Sequence, residues 1–302
     1  MIICLEGIDG SGKSTIAKRL ADEITALNRP PYVHVPRREK TAYASVFSIS
    51  DFARKVAFRK NPEEELLRSR LDSQLSEDFN ATQVVKMMFE DGTLANSIVK
   101  YCERLSQALE RLKDGDTSVE VYNAIAINYL EIGVLLTPIL KFYSDIGHYI
   151  ILDRWLWRTV AYNAAIDRSI FCAIHEPVIV HAYKCNPQEH AKGLISKILQ
   201  PDLTIRLHVA HEEASEKRAE RSDATEPLEN KNYLELVDAG YDVLALYAKD
   251  RQFTSLTDAY GKNILPINFE TVEVKYINWD PERSKSLVTL EVRDIFLKYY
   301  KE

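Results

Sequence analysis

The sequence predicts an α/β fold in which helices cover both faces of a central parallel sheet. Segments rich in β-branched and aromatic residues recur, and those at 2–6 and 149–153 are almost continuously apolar, as is typical of strands buried on both faces. Helical patterns separate these segments, which indicates crossover connections between parallel strands. The predicted strands are IICLE at 2–6, YVHV at 32–35, YIILD at 149–153, LTIRLHV at 203–209 and ILPINF at 264–269.

The predicted helices follow from periodicity and from stop signals. The helical pattern at 14–27 ends before Asn28-Arg29-Pro30-Pro31, because paired prolines stop a helix. A long apolar helix is predicted at about 119–142, and residues from Glu282 onward have the pattern of a closing amphipathic helix.

Residues from about 41 to 116 interrupt the alternation of strands and helices. This segment is charged, and Leu105, Leu109 and Leu112 fall at helical spacing between glutamates and arginines. It predicts a mainly helical insertion on the sheet domain, as a structural elaboration or else as a lid or dimer surface. Residues 1–302 are then expected to form a single domain that carries this insertion.

Composition limits the classes of partner. The chain has 302 residues, 46% hydrophobic and 28% charged, and its net charge of −6 argues against a nucleic-acid polymer as partner. No stretch has the uninterrupted apolar length of a membrane span, and the N-terminus lacks the pattern of a signal peptide. Four scattered cysteines indicate reduced thiols, so we expect a cytoplasmic protein without a membrane segment.

The segment GIDGSGKS at 7–14 matches the P-loop pattern of glycine, four residues, glycine, lysine and serine. The glycines let backbone amides point at phosphate oxygens, and the following helix adds the positive end of its dipole. In such a loop Lys13 reaches the β and γ phosphates and the Ser14 hydroxyl ligates Mg²⁺. Because a strand precedes it and a helix follows, we predict a nucleoside triphosphate site. Its predicted residues are Gly7, Gly10, Ser11, Gly12, Lys13, Ser14 and Thr15.

A second site is predicted at the end of the strand at 149–153. Asp153 lies where the second metal element of P-loop enzymes places a carboxylate that holds Mg²⁺ directly or through water. Arg154 follows at the edge of the sheet where ligands bind, and its guanidinium could grip a second phosphate. The alternative is a salt bridge between Asp153 and Arg154 that ends the strand, and the residues alone leave both open.

Several short motifs, taken in order, resemble those of the thymidylate kinase family. The resemblance reaches from the start of the chain to about residue 247. It implies a three-layer P-loop kinase fold, ATP and Mg²⁺ as cofactors, and transfer of the γ-phosphate to a deoxynucleoside monophosphate, with dTMP favoured. The motifs are EGIDGSGKST at 6–15, DRW at 153–155, AYN at 161–163, PDLT at 201–204, EEASEKRAER at 212–221 and AGY at 239–241.

The resemblance also implies roles for single residues. Asp9 would hydrogen-bond the sugar 3′-hydroxyl of the acceptor, and Arg154 would bind the acceptor phosphate. Arg38, which follows the second predicted strand, would lie near that phosphate. Asp153 would belong to the metal shell, and Asn163 would contact the edge of the base.

A lid is predicted at about 212–230. The P-loop has no arginine at its variable positions, and in family members of that kind the lid supplies the transition-state arginine, which implies Arg218 or Arg221. These two lie three residues apart, on one face of a helix. Such an arginine contributes about 10³–10⁵ in rate, and closure excludes water. On the residues alone, a solvated helix with internal charge pairs is the simpler explanation of the segment.

Four features depart from the family's pattern. Asn128 stands where the family has an arginine that binds the acceptor phosphate, Leu207-His208-Val209 replaces Leu-Asp-Val, and Arg38-Glu39-Lys40 replaces Arg-Glu-Pro. The segment at 41–116 has no counterpart in short members. The missing arginine weakens the case for dTMP more than the case for phosphoryl transfer. An acceptor monophosphate other than dTMP would explain the missing arginine. An arginine supplied by the insertion, namely Arg54, Arg68 or Arg70, would explain it too.

The main prediction is therefore a phosphotransferase that acts on a small nucleotide, and the resemblance implies a homodimer. Two other functions stay open. A deoxynucleoside kinase needs a carboxylate base after the second strand, and Glu39 could fill that role. A nucleotide-binding regulator that has lost turnover is suggested by Asn128 and the added helices.

Overall fold

In the part of the chain that the structure describes, the central sheet consists of five parallel strands: β1 (Ile2–Glu6), β2 (Ala44–Phe47), β3 (Tyr149–Asp153), β4 (Leu203–His208) and β5 (Phe269–Glu273). Their order across the sheet is β2-β3-β1-β4-β5. The structure, a computed structural model, describes residues 1–27, 44–49, 52–53, 92–145, 147–165, 197–210, 213–214, 231–249, 268–275 and 281–300. β1 therefore lies at the centre of the sheet, with the P-loop directly after it.

Helices cover the sheet on both faces. α1 and α6 contact each other, and α1 also packs on β2 and β3, whereas α3, α4 and α5 pack in succession on the other side, with α2 against α3. This three-layer arrangement confirms the predicted fold class. The helices among the described residues are α1 (Lys13–Leu27), α2 (Gly92–Lys113), α3 (Val119–Asp145), α4 (Leu156–Ala164), α5 (Lys231–Lys249) and α6 (Pro281–Tyr300).

The pairing of β1 with β3 positions the site. All of β1 is buried, and so is β3 apart from its first residue, as the apolar sequences of both strands predicted. In their register Leu5 lies beside Asp153, and the backbone N–H of Arg154 donates to the carbonyl of Leu5 at 3.0 Å. The residues that follow the two strands therefore emerge side by side at the carboxyl edge of the sheet.

Two strands differ from their predicted positions. The second described strand is β2, which lies within the segment at 41–116 that was predicted to be mainly helical, and residues 32–35 lie outside the described part. Arg38 and Glu39, which we placed after the second strand, therefore precede β2 in the chain. β5 begins at Phe269, where its predicted strand ends. A β-prone sequence marks segments that suit a sheet, but pairing with a neighbouring strand decides which residues are used.

α3 is the core helix of the layer that faces the site. Among the described helices it alone is long and apolar enough to cross a membrane, with a mean hydropathy of 1.5 over 18 residues. However, 61% of that window is buried inside the protein, and Leu130, Ile132 and Leu136 are at most 1% exposed. Core helices share this composition, so we interpret α3 as a packed helix.

A buried charge network ties β4 to α5. The Arg206 guanidinium is 2% exposed, donates to Asp238 at 2.5 Å, and also pairs with Asp242 at 2.6 Å. The other Asp238 oxygen lies 3.0 Å from His208, whose second ring nitrogen lies 2.9 Å from Glu273 on β5. Burial opposes the charge of Arg206, but the two aspartates outweigh it and raise the pKa of the guanidinium. We assigned no role to Arg206 from the sequence.

Candidate active site

The loop between β1 and α1 requires glycine at two positions. Gly7 and Gly10 have φ angles of 135° and 92°, in the region that side chains rarely adopt. A Cβ on Gly7 would lie 2.4 Å from the carbonyl oxygen of Leu207, and one on Gly10 would lie 2.7 Å from that of Ala214. Both the backbone conformation and the space at this loop therefore depend on glycine at Gly7, the first glycine of the P-loop pattern, and at Gly10, one of its variable positions.

Lys13 places a buried ammonium group inside the loop. It is 3% exposed, and its Nζ donates to the carbonyl oxygen of Ile8 at 2.6 Å and to the Ser11 hydroxyl at 3.1 Å. α1 begins at Lys13, so the N-terminal end of its dipole points into the same loop. Ser14 is exposed at the first turn. This concentration of positive charge and amide donors suits a polyphosphate.

Asp9 connects the loop to the end of β3. One oxygen of its carboxylate pairs with the Arg154 guanidinium, and the other accepts a hydrogen bond from the Tyr162 hydroxyl at 2.9 Å. The backbone N–H of Asp9 donates in turn to the oxygen of that hydroxyl at 3.1 Å. Arg154 thus pairs across the site with Asp9, and the alternative of a local salt bridge with Asp153 is wrong. The structure brings together two residues to which the resemblance gave acceptor roles.

The backbone of Arg154 is strained. Its φ of 69° makes it the one residue other than glycine with a positive φ in the described part of the chain. Such a conformation costs about 1–3 kcal/mol and persists where the surroundings enforce it, typically at functional sites. Burial lowers the pKa of the guanidinium to about 10, and the nearby Arg158 contributes in the same direction. The group therefore stays charged at neutral pH, at an energetic cost that an anion would offset.

Glu6 anchors α4, the helix that follows Arg154. Its buried carboxylate accepts hydrogen bonds from the backbone N–H of Trp155 at 2.9 Å and from the Tyr241 hydroxyl at 2.8 Å. Burial raises the pKa of Glu6, and these hydrogen bonds oppose the shift in part. An anion at a helix N-terminus is stabilised by the helix dipole. Glu6, to which we gave no role from the sequence, therefore fixes the start of α4 against β1.

Arg158 on α4 is a second cation of the site that we did not identify from the sequence. Its Nη1 donates to the Tyr129 hydroxyl at 3.0 Å. The guanidinium carbon lies 5.3 Å from the centre of the Tyr129 ring and 5.2 Å from that of Tyr162, both within cation–π range. Arg158 follows Arg154 by four residues, but Arg154 precedes α4 and has a positive φ, so helical spacing does not predict that the two side chains share a site.

Asp153 has the environment of a group that binds a ligand. It is 8% exposed, and its buried Oδ1 has no hydrogen-bond partner within the described ranges. A buried unpaired carboxylate oxygen is costly, and Mg²⁺ or its water ligands would satisfy it. The described residues contain no cluster of three or more histidines, cysteines, aspartates or glutamates suited to a metal. Mg²⁺ commonly has few protein ligands and takes the rest from phosphate and water, so Asp153 and Ser14 fit it.

The structure describes only some of the remaining residues that the sequence predicted for the site. Asn163 lies on α4, but its side chain is not described. Of the predicted lid at 212–230, the described residues are Glu213 and Ala214, and Ala214 is fully buried against Gly10. Outside the described residues lie Arg38, Glu39, Arg54, Arg68, Arg70, Arg218 and Arg221.

Comparisons with known proteins were made at the level of sequence and of structure. No protein-family model and no curated protein sequence matches the chain. The chain is similar to two solved structures, from Ehrlichia chaffeensis (15% identity, 98% of each chain covered, TM-score 0.44) and from Candida albicans (16% identity, 98% of this chain and 92% of the other, TM-score 0.43). Both are thymidylate kinases.

Proposed function

We propose that the protein is a nucleoside-monophosphate kinase that transfers the γ-phosphoryl group of ATP to a deoxynucleoside monophosphate, with dTMP as the first acceptor to test. The ion pair between Asp9 and Arg154 carries this proposal. It places a guanidinium that can bind a second anion directly beside a loop suited to a triphosphate. Phosphoryl transfer between two nucleotides needs this combination, because the two anions must be held together against their mutual repulsion.

In this proposal each residue acts mainly by position and charge. Lys13 and the amides of the loop hold the β and γ phosphates, and Arg154 holds the acceptor phosphate. Asp9 binds the acceptor sugar, as the resemblance implies, while Tyr162 orients its carboxylate through the 2.9 Å hydrogen bond. No general base is required, because the acceptor phosphate is already an anion. Arg38, Asn163, Arg218 and Arg221 stay predictions from the sequence.

Ser14 and Asp153 would hold Mg²⁺, directly or through water. The unpartnered Oδ1 of Asp153 supports this part of the proposal. When bound, the metal supplies neutralisation of charge on the β and γ phosphates.

A coupled assay of ADP release tests the proposal. The enzyme is incubated with ATP, Mg²⁺ and, in turn, each common deoxynucleoside and deoxynucleoside monophosphate. We expect ADP release that depends on a monophosphate, with dTMP among the best acceptors. Release that depends on nucleosides alone would identify a deoxynucleoside kinase. No acceptor-dependent ADP at high enzyme concentration would favour the regulator.

Removing the guanidinium of Arg154 should chiefly harm use of the acceptor. We expect Arg154→Ala to lower kcat/KM for the monophosphate about 100-fold, because hydrogen bonds to a charged group contribute about 1.5–3 kcal/mol. The KM for ATP should change by less than about threefold, since ATP lies on the other side of the site. Initial rates measured while each substrate is varied in turn separate the two effects.

Two further variants isolate the charge. Arg154→Asn removes the same guanidinium but tolerates a positive φ better than alanine, so agreement between the two variants excludes a backbone effect. Arg111→Ala removes an arginine from α2 whose side chain is 55% exposed. It should leave kcat/KM for the monophosphate and the KM for ATP unchanged. Unchanged acceptor kinetics in Arg154→Ala would show that the second site is elsewhere.

A further inference from the structure

A chain of contacts links Arg158 to the loop that suits the triphosphate. Asp9 contacts both Arg154 and the Tyr162 hydroxyl, and the Arg158 guanidinium lies over the ring of the same Tyr162. Arg154 at the end of β3 and Arg158 on α4 are therefore linked through Asp9 and Tyr162.

The structure holds Arg158 in one place from several directions. Arg158 and Tyr162 are four residues apart on α4, at the spacing that lets their side chains meet. Tyr129 contributes a hydroxyl and a ring face from α3, and Glu6 accepts a hydrogen bond from the backbone N–H of Arg158 at the start of α4. A guanidinium held by its face presents N–H donors along its edge, which is the geometry in which arginine binds phosphate.

Charge supports the same conclusion. Arg154 and Arg158 are both partly buried, and after burial itself the proximity of Arg158 is the next cause that lowers the pKa of Arg154. Burial opposes the charge of Arg158, but Tyr129 and Tyr162 outweigh it and raise the pKa of the guanidinium, and Arg154 pairs with Asp9, so both arginines stay charged. A phosphomonoester near neutral pH carries a charge of about −1.5 to −2, so it is attracted to the two guanidinium groups more strongly than an uncharged nucleoside is.

We propose that Arg158 is the second guanidinium of the acceptor-phosphate site and makes this site select a phosphomonoester over the uncharged nucleoside. The inference deepens the proposed function and rests on it for the identity of the acceptor. Asn128, beside Tyr129, donates its side-chain amide to the carbonyl of Ala124 in its own helix at 2.7 Å. α3 thus contributes the phenol of Tyr129 to this corner, while α4 contributes the cation.

Equilibrium binding tests the inference without requiring turnover. We would titrate the wild type, in the presence of Mg²⁺ and a non-hydrolysable ATP analogue, with dTMP and with thymidine, and with the other three deoxynucleoside monophosphates and their nucleosides. Arg158→Met keeps an aliphatic stem between the two tyrosines and removes the charge. We expect it to weaken monophosphate binding about 10- to 100-fold and to leave nucleoside binding within about twofold.

Two other variants complete the test. Arg158→Lys should retain part of the affinity for the monophosphate, because it restores the charge without the planar fork. Arg104→Met removes an exposed arginine from α2 and should leave the affinity for the monophosphate and for the nucleoside unchanged. Equal weakening of monophosphate and nucleoside in Arg158→Met would assign Arg158 a structural role and overturn the inference, and so would unchanged binding of both.

The kinase proposal and the inference about Arg158 can be overturned independently of each other. If the wild type releases ADP with a monophosphate and Arg158→Met keeps its preference for that monophosphate, the kinase proposal stands and the inference is wrong. If no acceptor supports ADP release but the wild type binds monophosphates more tightly than nucleosides through Arg158, the inference stands and the kinase proposal is wrong. A wild type that does not prefer monophosphates over nucleosides overturns the inference whatever the turnover.

Discussion

Lys13→Ala should lower kcat for phosphoryl transfer about 10²–10³-fold, the loss typical of removing one preorganised donor to a transition-state charge. The ammonium of Lys13 is 3% exposed and lies within the curve of the loop, where the carbonyl of Ile8 and the hydroxyl of Ser11 hold it. In so dry a position its charge acts on the transferred group with little screening by water. No other described side chain places a cation inside this loop.

The assay for Lys13 compares initial rates at saturating ATP and acceptor, with the affinity for a non-hydrolysable ATP analogue measured in parallel. Lys18→Ala is the matched control, because Lys18 lies on the same helix, α1, but is exposed. It should retain the wild-type rate. Thermal unfolding of both variants shows whether the fold persists. If Lys13→Ala turned over within a few-fold of the wild-type rate, the loop would not be part of the catalytic site.

Arg206→Met should lower the free energy of unfolding by about 3–5 kcal/mol, because removing one partner of a buried ion pair leaves the other charge buried and unpaired. Arg206 and Asp238 have side chains that are 2% and 6% exposed, so water cannot replace the lost contact. The effect also reaches the site. Arg206 lies over the ring of Tyr241, whose hydroxyl donates to the Glu6 carboxylate that anchors α4.

Urea denaturation followed by circular dichroism measures this loss, with two comparison variants. Asp242→Asn removes the exposed partner of Arg206, whose side chain is 65% exposed, and should cost no more than about 1 kcal/mol. The double variant Arg206→Met/Asp238→Asn removes the buried charge as well and should recover part of the loss. A loss in Arg206→Met no larger than that in Asp242→Asn would mean that the network contributes little to stability.

Local patterns account for the parts of the fold that were predicted from the sequence. β1 and β3 have the predicted bounds, because an apolar run covered on both faces is visible in the sequence itself. α1 extends to Leu27, the last residue of the predicted helix, and the asparagine, arginine and two prolines that follow lie outside the described residues. β2 was missed, because its four residues at the edge of the sheet become a strand only by pairing with β3.

The candidate site shows the same division. Asp9, Lys13, Asp153 and Arg154 were all predicted as site residues from short motifs, and the structure brings Asp9 and Arg154 into contact. Their partners were not. The hydroxyl of Tyr162 lies 153 positions from Asp9 in the chain, and the Tyr129 hydroxyl lies 29 positions from Arg158. A spacing of that size carries no periodic signal, so neither contact is visible before the strands and helices are assembled.

By itself the sequence determined that a glycine loop between a buried strand and a helix holds a lysine, and that an aspartate and an arginine end the third strand. Only the tertiary structure decided that this arginine pairs with Asp9 and that Arg158 lies over the ring of Tyr162. The reason is physical: backbone conformation and burial periodicity are encoded over a few residues, whereas the pairing of charges depends on which strands lie side by side.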